Sequence, residues 1–128
     1  MKTIIQTDAA PSAIGPYSQA IRVDNTVYCS GQIPLNPQTM ELVPGDICEQ
    51  ARQVFNNIKA VSEAAGGSLQ DIVKLTIYLT NLADFADLNT IMMELFQAPF
   101  PARTTIQVSA LPKGAMVEIE ALLILQSR

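Results

Sequence analysis

Histidine and tryptophan are both absent from this 128-residue chain, and cysteine occurs only at Cys29 and Cys48. Without histidine, the chain lacks the usual general base, the Ser-His-Asp and Cys-His arrangements, and the side chain that most metal sites need. The two cysteines have no Cys-x-x-Cys spacing, which argues against a disulfide framework or a zinc cage. We expect two buried thiols, and any chemistry must use Glu, Asp, Tyr, Lys, Arg or backbone groups.

Positive charge is also scarce, with eight basic against twelve acidic residues and a net charge of -4. The basic residues are scattered and form no stripe that could neutralise a phosphate backbone, so nucleic acid is not an expected partner. No apolar run approaches the roughly twenty residues that cross a bilayer, and residues 1–8 lack a signal-peptide core. These absences predict a cytoplasmic protein with no membrane partner.

The apolar content is high for so short a chain, at 48% of residues with a mean hydropathy of +0.22. A chain of this length fits one compact domain, which we place at residues 1–128. The apolar excess suggests that part of the surface is buried between subunits. We therefore expect an oligomer.

The first half of the chain predicts a hairpin followed by a long helix. Strands at 17–23 and 26–30 flank Asp24-Asn25, a dipeptide that tolerates the backbone angles of a tight turn. Proline-rich loops are expected before and after this hairpin. Asp46 and Glu49 have capping-box spacing, and an apolar stripe at helical intervals then runs to Gly66-Gly67.

The second half alternates between strand and helix. Residues 72–80 predict a strand with Val73, Leu75, Ile77 and Leu79 on one face. A helix opened by Asp84 or Asp87 should end before Pro99 and Pro101, and strands are expected at about 103–108 and 116–125. The order favours an α+β fold, a single mixed sheet with two helices packed on one face.

The two last strands also carry charged positions. On the final strand, Glu118 and Glu120 should point away from the helices, on a face that suits an oligomer interface. On the preceding strand we expect Thr104, Ile106 and Val108 to form the apolar set and Arg103, Thr105 and Gln107 to share the opposite face. Pairing of these strands would place Arg103 and Glu120 on one surface.

Arg103 is the strongest candidate for ligand binding. The rigid segment Phe100-Pro101-Ala102 precedes it, and a guanidinium group can hold a carboxylate through two parallel hydrogen bonds. Spacing alone, however, favours a structural ion pair with Glu118 or Glu120.

Three stretches change that balance. Residues 13–20 (AIGPYSQA), residues 30–34 (SGQIP) and residues 100–104 (FPART) closely resemble the RidA/YjgF family. The last stretch continues to Leu111-Pro112 and to residues 117–121 (VEIEA). In this order and spacing, the likeness spans nearly the whole chain.

The resemblance implies a YjgF-like, chorismate-mutase-like fold and a homotrimer with a barrel-like core and clefts between subunits. It implies hydrolysis of reactive enamine and imine acids (2-aminoacrylate/2-iminopropanoate and 2-iminobutanoate), which pyridoxal-phosphate-dependent dehydratases release, to 2-oxo acids and ammonia. No cofactor or metal is implied. Arg103 would bind the carboxylate and Glu120 would position water. The other residues implied at the substrate are Tyr17, Ser30, Gly31, Thr105 and Asn89.

Several of these residues have simpler interpretations. Tyr17 could be an ordinary strand aromatic, Gly15 and Gly31 turn glycines, and Glu118 a surface or interface charge. Thr105 departs from the family pattern, because the best-known members carry cysteine there. Thiol chemistry and redox switching are therefore in doubt, whereas a contact made through the backbone would preserve imine hydrolysis.

Three other functions compete with the deaminase. A non-catalytic trimer could bind small carboxylic acids in the same cleft and report their concentration. A nuclease or translation-inhibitor role is disfavoured by the acidic composition. A holdase chaperone would require large exposed apolar patches.

Overall fold

The structure is a computed structural model and describes residues 1–126. Within that range the chain forms a single sheet of six strands and two α-helices, with short 3-10 turns between them. The elements are β1 (Thr3–Ile5), β2 (Ala20–Val23), β3 (Thr26–Gln32), α1 (Ile47–Ala64), β4 (Ile72–Leu79), α2 (Phe85–Leu95), β5 (Ala102–Gln107) and β6 (Val117–Ile124). The strand order is β1-β2-β3-β6-β4-β5, and only the β4–β5 pair is parallel.

Local signals place the first hairpin and the long helix as the sequence predicts. Asp24 adopts a left-handed backbone, with φ of 53°, and Val23 pairs with Thr26 across the turn. The Asp46 side chain caps α1 by accepting a 3.2 Å hydrogen bond from the backbone N–H of Glu49. This cap satisfies an amide that has no partner within the helix.

Both helices contribute to one apolar core on one side of the sheet. Phe55 of α1 meets Phe96, at the end of α2, edge to face at 5.5 Å between ring centroids. Ile119 and Leu123 of β6 are fully buried beneath the helices, whereas their neighbours Glu118 and Glu120 lie on the other side. The predicted α+β class, with two helices over one mixed sheet, is therefore confirmed.

The predicted orientation of β5 is wrong. This strand pairs with β4 instead of β6, and the register sets Arg103 beside Leu75 and Thr105 beside Ile77. Leu75 and Ile77 are fully buried on the helix side, so Arg103 and Thr105 point that way too. Arg103 and Glu120 consequently lie on opposite faces of the sheet. The reason is that β5 is an edge strand, whose inward positions lie below α2 at the margin of the core and can accept polar groups.

Two other predicted core positions are also wrong. Val73 is 43% exposed, because the β4–β6 register shifts between Ile72 and Lys74 and turns the intervening side chain outward. Cys48 is only partly buried, near the start of α1, whereas Cys29 is buried as expected and both thiols are free.

The sheet face opposite the helices, which we call the open face, carries both charged and apolar side chains. It includes Glu118 and Glu120 together with Tyr28, Ile106 and Ile124, of which the last three are 53%, 42% and 42% exposed. No helix within residues 1–126 is both long and apolar enough to cross a membrane.

Candidate functional site

A buried glutamine organises the loop that carries the first motif. Gln19 donates from Nε2 to the carbonyls of Thr7, Ala10 and Pro11 at 3.0, 3.3 and 2.8 Å, and its Oε1 accepts from the Thr7 amide at 2.7 Å. These bonds tie the proline-rich loop to the start of β2. Sequence reasoning assigned no role to Gln19, although it lies within the 13–20 motif.

Tyr17 projects from this loop into solvent. Gly15, two residues earlier, has φ of +123°, which a residue with a Cβ rarely adopts, and its carbonyl accepts the Tyr17 amide at 2.9 Å. The Tyr17 side chain is 53% exposed. Gly15 is thus a turn glycine, and its turn presents the tyrosine at the surface.

Ser30 and Gly31 lie in β3, directly below that loop. The Ser30 hydroxyl donates to the Ser18 carbonyl at 2.6 Å, which joins the two motifs. Gly31 is not a turn glycine, because it lies within β3 and its backbone is approached by Glu118. A Cβ built at Gly31 would collide with the Glu118 carboxylate.

These residues border an open cavity of about 620 Å³, here called the Tyr17 cavity. Its wall includes the side chains of Tyr17, Ser30, Glu118 and Lys113 and the backbone of Gly31. Lys113 has a left-handed backbone, with φ of 59°, in the short turn before β6. Carboxylate, ammonium, phenol and hydroxyl groups therefore meet around a space large enough for a small metabolite.

The two glutamates of β6 differ in their surroundings. Glu120 is exposed and accepts a 2.7 Å hydrogen bond from the Tyr78 hydroxyl of β4, and that bond raises the pKa of Tyr78. Glu118 is half-buried, and burial, followed by the negative charge of Glu120, raises its pKa. Neither Tyr78 nor a special environment for Glu118 was anticipated from the sequence.

Arg103 lies in a separate pocket between β5 and α2. Its Nη1 donates to Oδ1 of Asn89 at 2.6 Å and contacts the Met92 sulfur at 3.4 Å, while the guanidinium carbon lies 4.9 Å from the Phe85 ring centroid. The hydrogen bonds that this group donates within residues 1–126 leave from Nη1, so its other edge can bind a carboxylate. The adjoining cavity, of about 410 Å³, is bordered by Met93, Phe100 and Pro101 as well.

Thr105 lies two residues beyond Arg103 on the same side of β5. Its hydroxyl is buried, and within residues 1–126 it has no hydrogen-bond partner. An unpaired buried hydroxyl is unfavourable by about 1–3 kcal/mol. Thr105 therefore lies beside the arginine, as expected from the motif, but with its side chain turned into the protein.

The implied site residues thus fall into two groups within one chain. Tyr17, Ser30 and Gly31 border the Tyr17 cavity, and Glu120 lies on the open face beside its neighbour Glu118. Arg103, Asn89 and Thr105 lie on the helix side, at the β5 edge. The contact between Phe85 and Arg103 was not predicted from the sequence. Among residues 1–126, no three acidic, cysteine or histidine residues cluster as metal ligands would.

Fold and cavities together indicate a small α+β domain with sites for compact polar ligands. Residues 7–125 match the family model described as Endoribonuclease L-PSP, and the chain belongs to this family, also called RidA/YjgF. A Dermatophagoides farinae protein named 2-iminobutanoate/2-iminopropanoate deaminase is 52% identical over 98% of each chain.

Two crystal structures show the same similarity. RidA from an Antarctic Psychrobacter species is 56% identical, with a TM-score of 0.93 over 96% of this chain and 99% of that one. E. coli TdcF, crystallised with bound serine, is 45% identical, with a TM-score of 0.92 over 97% of this chain and 99% of that one. The predicted family is thereby confirmed.

Proposed function

We propose that this protein is a 2-iminobutanoate/2-iminopropanoate deaminase, which hydrolyses reactive imine acids to 2-oxo acids and ammonia. The observation that carries the proposal is the way in which the guanidinium group of Arg103 is held. Asn89 holds one side of its guanidinium group, Phe85 supports the group, and the other edge can grip a carboxylate. Relatives near 50% identity over almost the full length carry this name, which favours turnover over the non-catalytic alternative.

Hydrolysis of an imine requires few catalytic groups. An imine carbon is already electrophilic, so catalysis requires an oriented substrate, a placed water and proton transfer. Arg103 fixes the substrate carboxylate, and Glu120 holds and deprotonates the water. Tyr17, Ser30 and Gly31 form the opposite wall, and Thr105 contributes through its backbone, which allows threonine to replace cysteine. The bound serine reported for E. coli TdcF shows that relative holding a small amino acid.

The active assembly is a homotrimer with sites between subunits. Two observations support this. Within one chain, Arg103 and Glu120 lie on opposite faces of the sheet, so a site that uses both must draw on two chains. The open face also exposes apolar side chains that a neighbouring subunit would cover, which would give the trimer its barrel-like core.

The physiological setting follows from the chemistry. Imine acids released by dehydratases react with amines and cofactors, so their removal limits damage to metabolites. We propose that this activity takes place in the cytoplasm. The acidic net charge of -4 gives no support to nucleic-acid binding, despite the family description.

A coupled assay tests this function. A threonine or serine dehydratase generates the imine in situ, and 2-oxo acid formation is followed with semicarbazide as a competing trap. Wild type should accelerate hydrolysis, and Arg103→Ala should lower kcat/KM by at least about 100-fold, since a charged bidentate contact is lost. Arg22→Ala is the matched control, because among residues 1–126 the Arg22 side chain donates to the nearby Asp24 carbonyl, at 2.7 Å. Absence of any acceleration by wild type would contradict the proposal and favour a binding protein.

A further inference from the structure

The Tyr17 cavity is larger than the imine acids of the proposed function require. At the roughly 30 Å³ that a water molecule takes in the liquid, the heavy atoms of 2-iminobutanoate would fill about 210 Å³. The cavity holds about 620 Å³, so most of it would stay empty. Apolar side chains border it as well as the polar groups described above, and they are Ile14, Ile33, Leu35, Met40 and Pro112.

Met40 is unusual among these residues because its backbone is left-handed, with φ of 60°. That conformation is unfavourable for most residues with a Cβ, and glycine or asparagine usually adopts it. Within residues 1–126, three non-glycine residues have such a backbone, and one of them is Asp24 in the β2–β3 turn. The other two, Met40 and Lys113, both border the Tyr17 cavity. Strained backbone of this kind is concentrated at functional sites.

Hydrogen bonds hold the loop that carries Met40. The Met40 amide donates to the Asn36 carbonyl at 2.8 Å, and the Asn36 amide donates to the Glu41 carbonyl at 2.9 Å. The buried Asn57 of α1 donates from Nδ2 to the Leu35 carbonyl at 3.0 Å, which anchors the loop to the helix. Glycine would adopt the same backbone without strain, so the loop gains nothing from a methionine except its side chain at the cavity.

We propose that Met40 is a specificity-determining residue, which forms with Ile33 and Leu35 an apolar subsite for the side chain of the substrate. This inference rests on the proposed deaminase function and extends its substrate class to imine acids with unbranched apolar side chains of three or four carbons. Tyr17 and Ser30 then face the reacting end of the substrate. Methionine suits the subsite because its unbranched thioether repacks around groups of different length.

A series of imines that differ by one methylene group tests the subsite. An L-amino-acid oxidase with catalase generates the imines of alanine, 2-aminobutanoate, norvaline and norleucine, and semicarbazide traps the imine that is not hydrolysed. Wild-type kcat/KM should rise about two- to fourfold with each added methylene, because the enzyme buries that group in the transition state.

Variants at position 40 test the methionine itself. Met40→Gly keeps the backbone conformation and removes the side chain, and it should lower the norleucine-to-alanine ratio of kcat/KM by about tenfold. Met40→Asn also tolerates the left-handed backbone but places an amide in the subsite, and it should lower the ratio as well. Gln38→Ala is the control, because Gln38 is exposed on the same loop and does not border the cavity. It should retain the wild-type ratio.

The outcomes separate the two proposals. A wild type that accelerates none of the four hydrolyses contradicts the deaminase function. A wild type that acts on the alanine imine without any gain along the series overturns only the subsite. A gain that persists in both Met40 variants overturns the role of Met40.

A second measurement needs no turnover. The carbon-13 methyl signal of Met40 in the wild type, assigned by its loss from Met40→Gly, should shift when 2-oxohexanoate, the product of the norleucine imine, is added. The same signal should move far less with pyruvate, whose methyl group is too short to reach the subsite. A Met40 signal that responds to neither 2-oxo acid refutes the subsite, whether or not the wild type is active.

Discussion

The Tyr78 hydroxyl reaches diagonally across the sheet to Glu120, with a donor–acceptor distance of 2.7 Å. The register sets Tyr78 opposite Glu118 and Thr76 opposite Glu120, so the phenol reaches a residue two positions along β6 from its direct partner. The bond raises the pKa of Tyr78, so the pH range in which the phenol can donate extends further into the alkaline region.

We expect Tyr78→Phe to release the Glu120 carboxylate and lower kcat about tenfold, the equivalent of one hydrogen bond to a charged group. KM should change little, because Arg103, the proposed carboxylate-binding residue, lies on the other face of the sheet. Tyr28→Phe removes a hydroxyl from the same open face and serves as the control in steady-state assays. Equal activity of the two variants would show that the bond does not orient Glu120.

Phe85 provides a test of how Arg103 is held. Phe85→Leu removes the aromatic ring near the guanidinium group, an interaction of about 0.5–2 kcal/mol, and should raise KM about two- to thirtyfold with kcat nearly unchanged. Phe85→Tyr keeps the ring and should retain the wild-type KM. If leucine and tyrosine behave alike, apolar contact alone explains the residue.

The proposed sharing of sites between subunits predicts complementation. Arg103→Ala and Glu120→Gln should each be nearly inactive. In mixed trimers refolded from equal amounts, about a quarter of the clefts should be intact, because each of the two subunits at a cleft has an even chance of supplying the unmutated residue. Activity recovered on mixing is the measurement, with each variant refolded alone as the control. Mixed trimers, verified by native mass spectrometry, that stay inactive would place both residues in one subunit's site.

The buried Thr105 hydroxyl predicts a gain in stability on its removal. Thr105→Val fills the same space without an unpaired polar atom and should raise the free energy of unfolding in urea by about 1 kcal/mol. Thr104→Val, on the neighbouring outward position of β5, should change it far less. A loss of stability in Thr105→Val would reveal a partner that the hydroxyl bonds in the assembled protein.

Cys29 predicts a specific alkaline sensitivity. Burial raises the pKa of its thiol from 9.0 to about 12, so the folded state resists ionisation that the unfolded chain permits. The contribution of the protonated Cys29 thiol to the free energy of unfolding is fully present below pH 9 and is lost as pH rises from 9 towards 12. The thermal midpoint of wild type should therefore fall more steeply over this window than that of Cys29→Ala. Parallel slopes would mean that other groups govern alkaline unfolding.

Sequence periodicity located the elements whose burial repeats regularly. The apolar stripe of α1 and the alternation of β6 each require one buried face, so Phe55, Ile119 and Leu123 could be placed from the sequence. The pairing of β5 could not, because partners of an edge strand are set by distant parts of the chain. The outward turn of Val73 likewise follows from a register shift that alternation does not encode.

The candidate site, like the fold, could be predicted from the sequence only in part. Motifs singled out Arg103, Tyr17, Ser30 and Gly31, but the contacts of each residue depend on how distant parts of the chain fold together. The Phe85–Arg103 and Tyr78–Glu120 contacts join residues from different elements, and no spacing rule connects them. The sequence predicted that Glu118 lies on the same face of the sheet as Glu120. Its position against the Gly31 backbone, however, depends on how closely β3 and β6 approach each other.

Arg103 and Glu120 lie on opposite faces of one sheet, so the proposed site between subunits makes catalysis depend on protein concentration. In the proposed trimer, no single chain holds a complete set of reacting groups. Dilution should therefore inactivate the enzyme by dissociating the subunits. Specific activity should rise with subunit concentration until all subunits are assembled. A cell that makes too little of this protein would lose protection more steeply than in proportion to the shortfall.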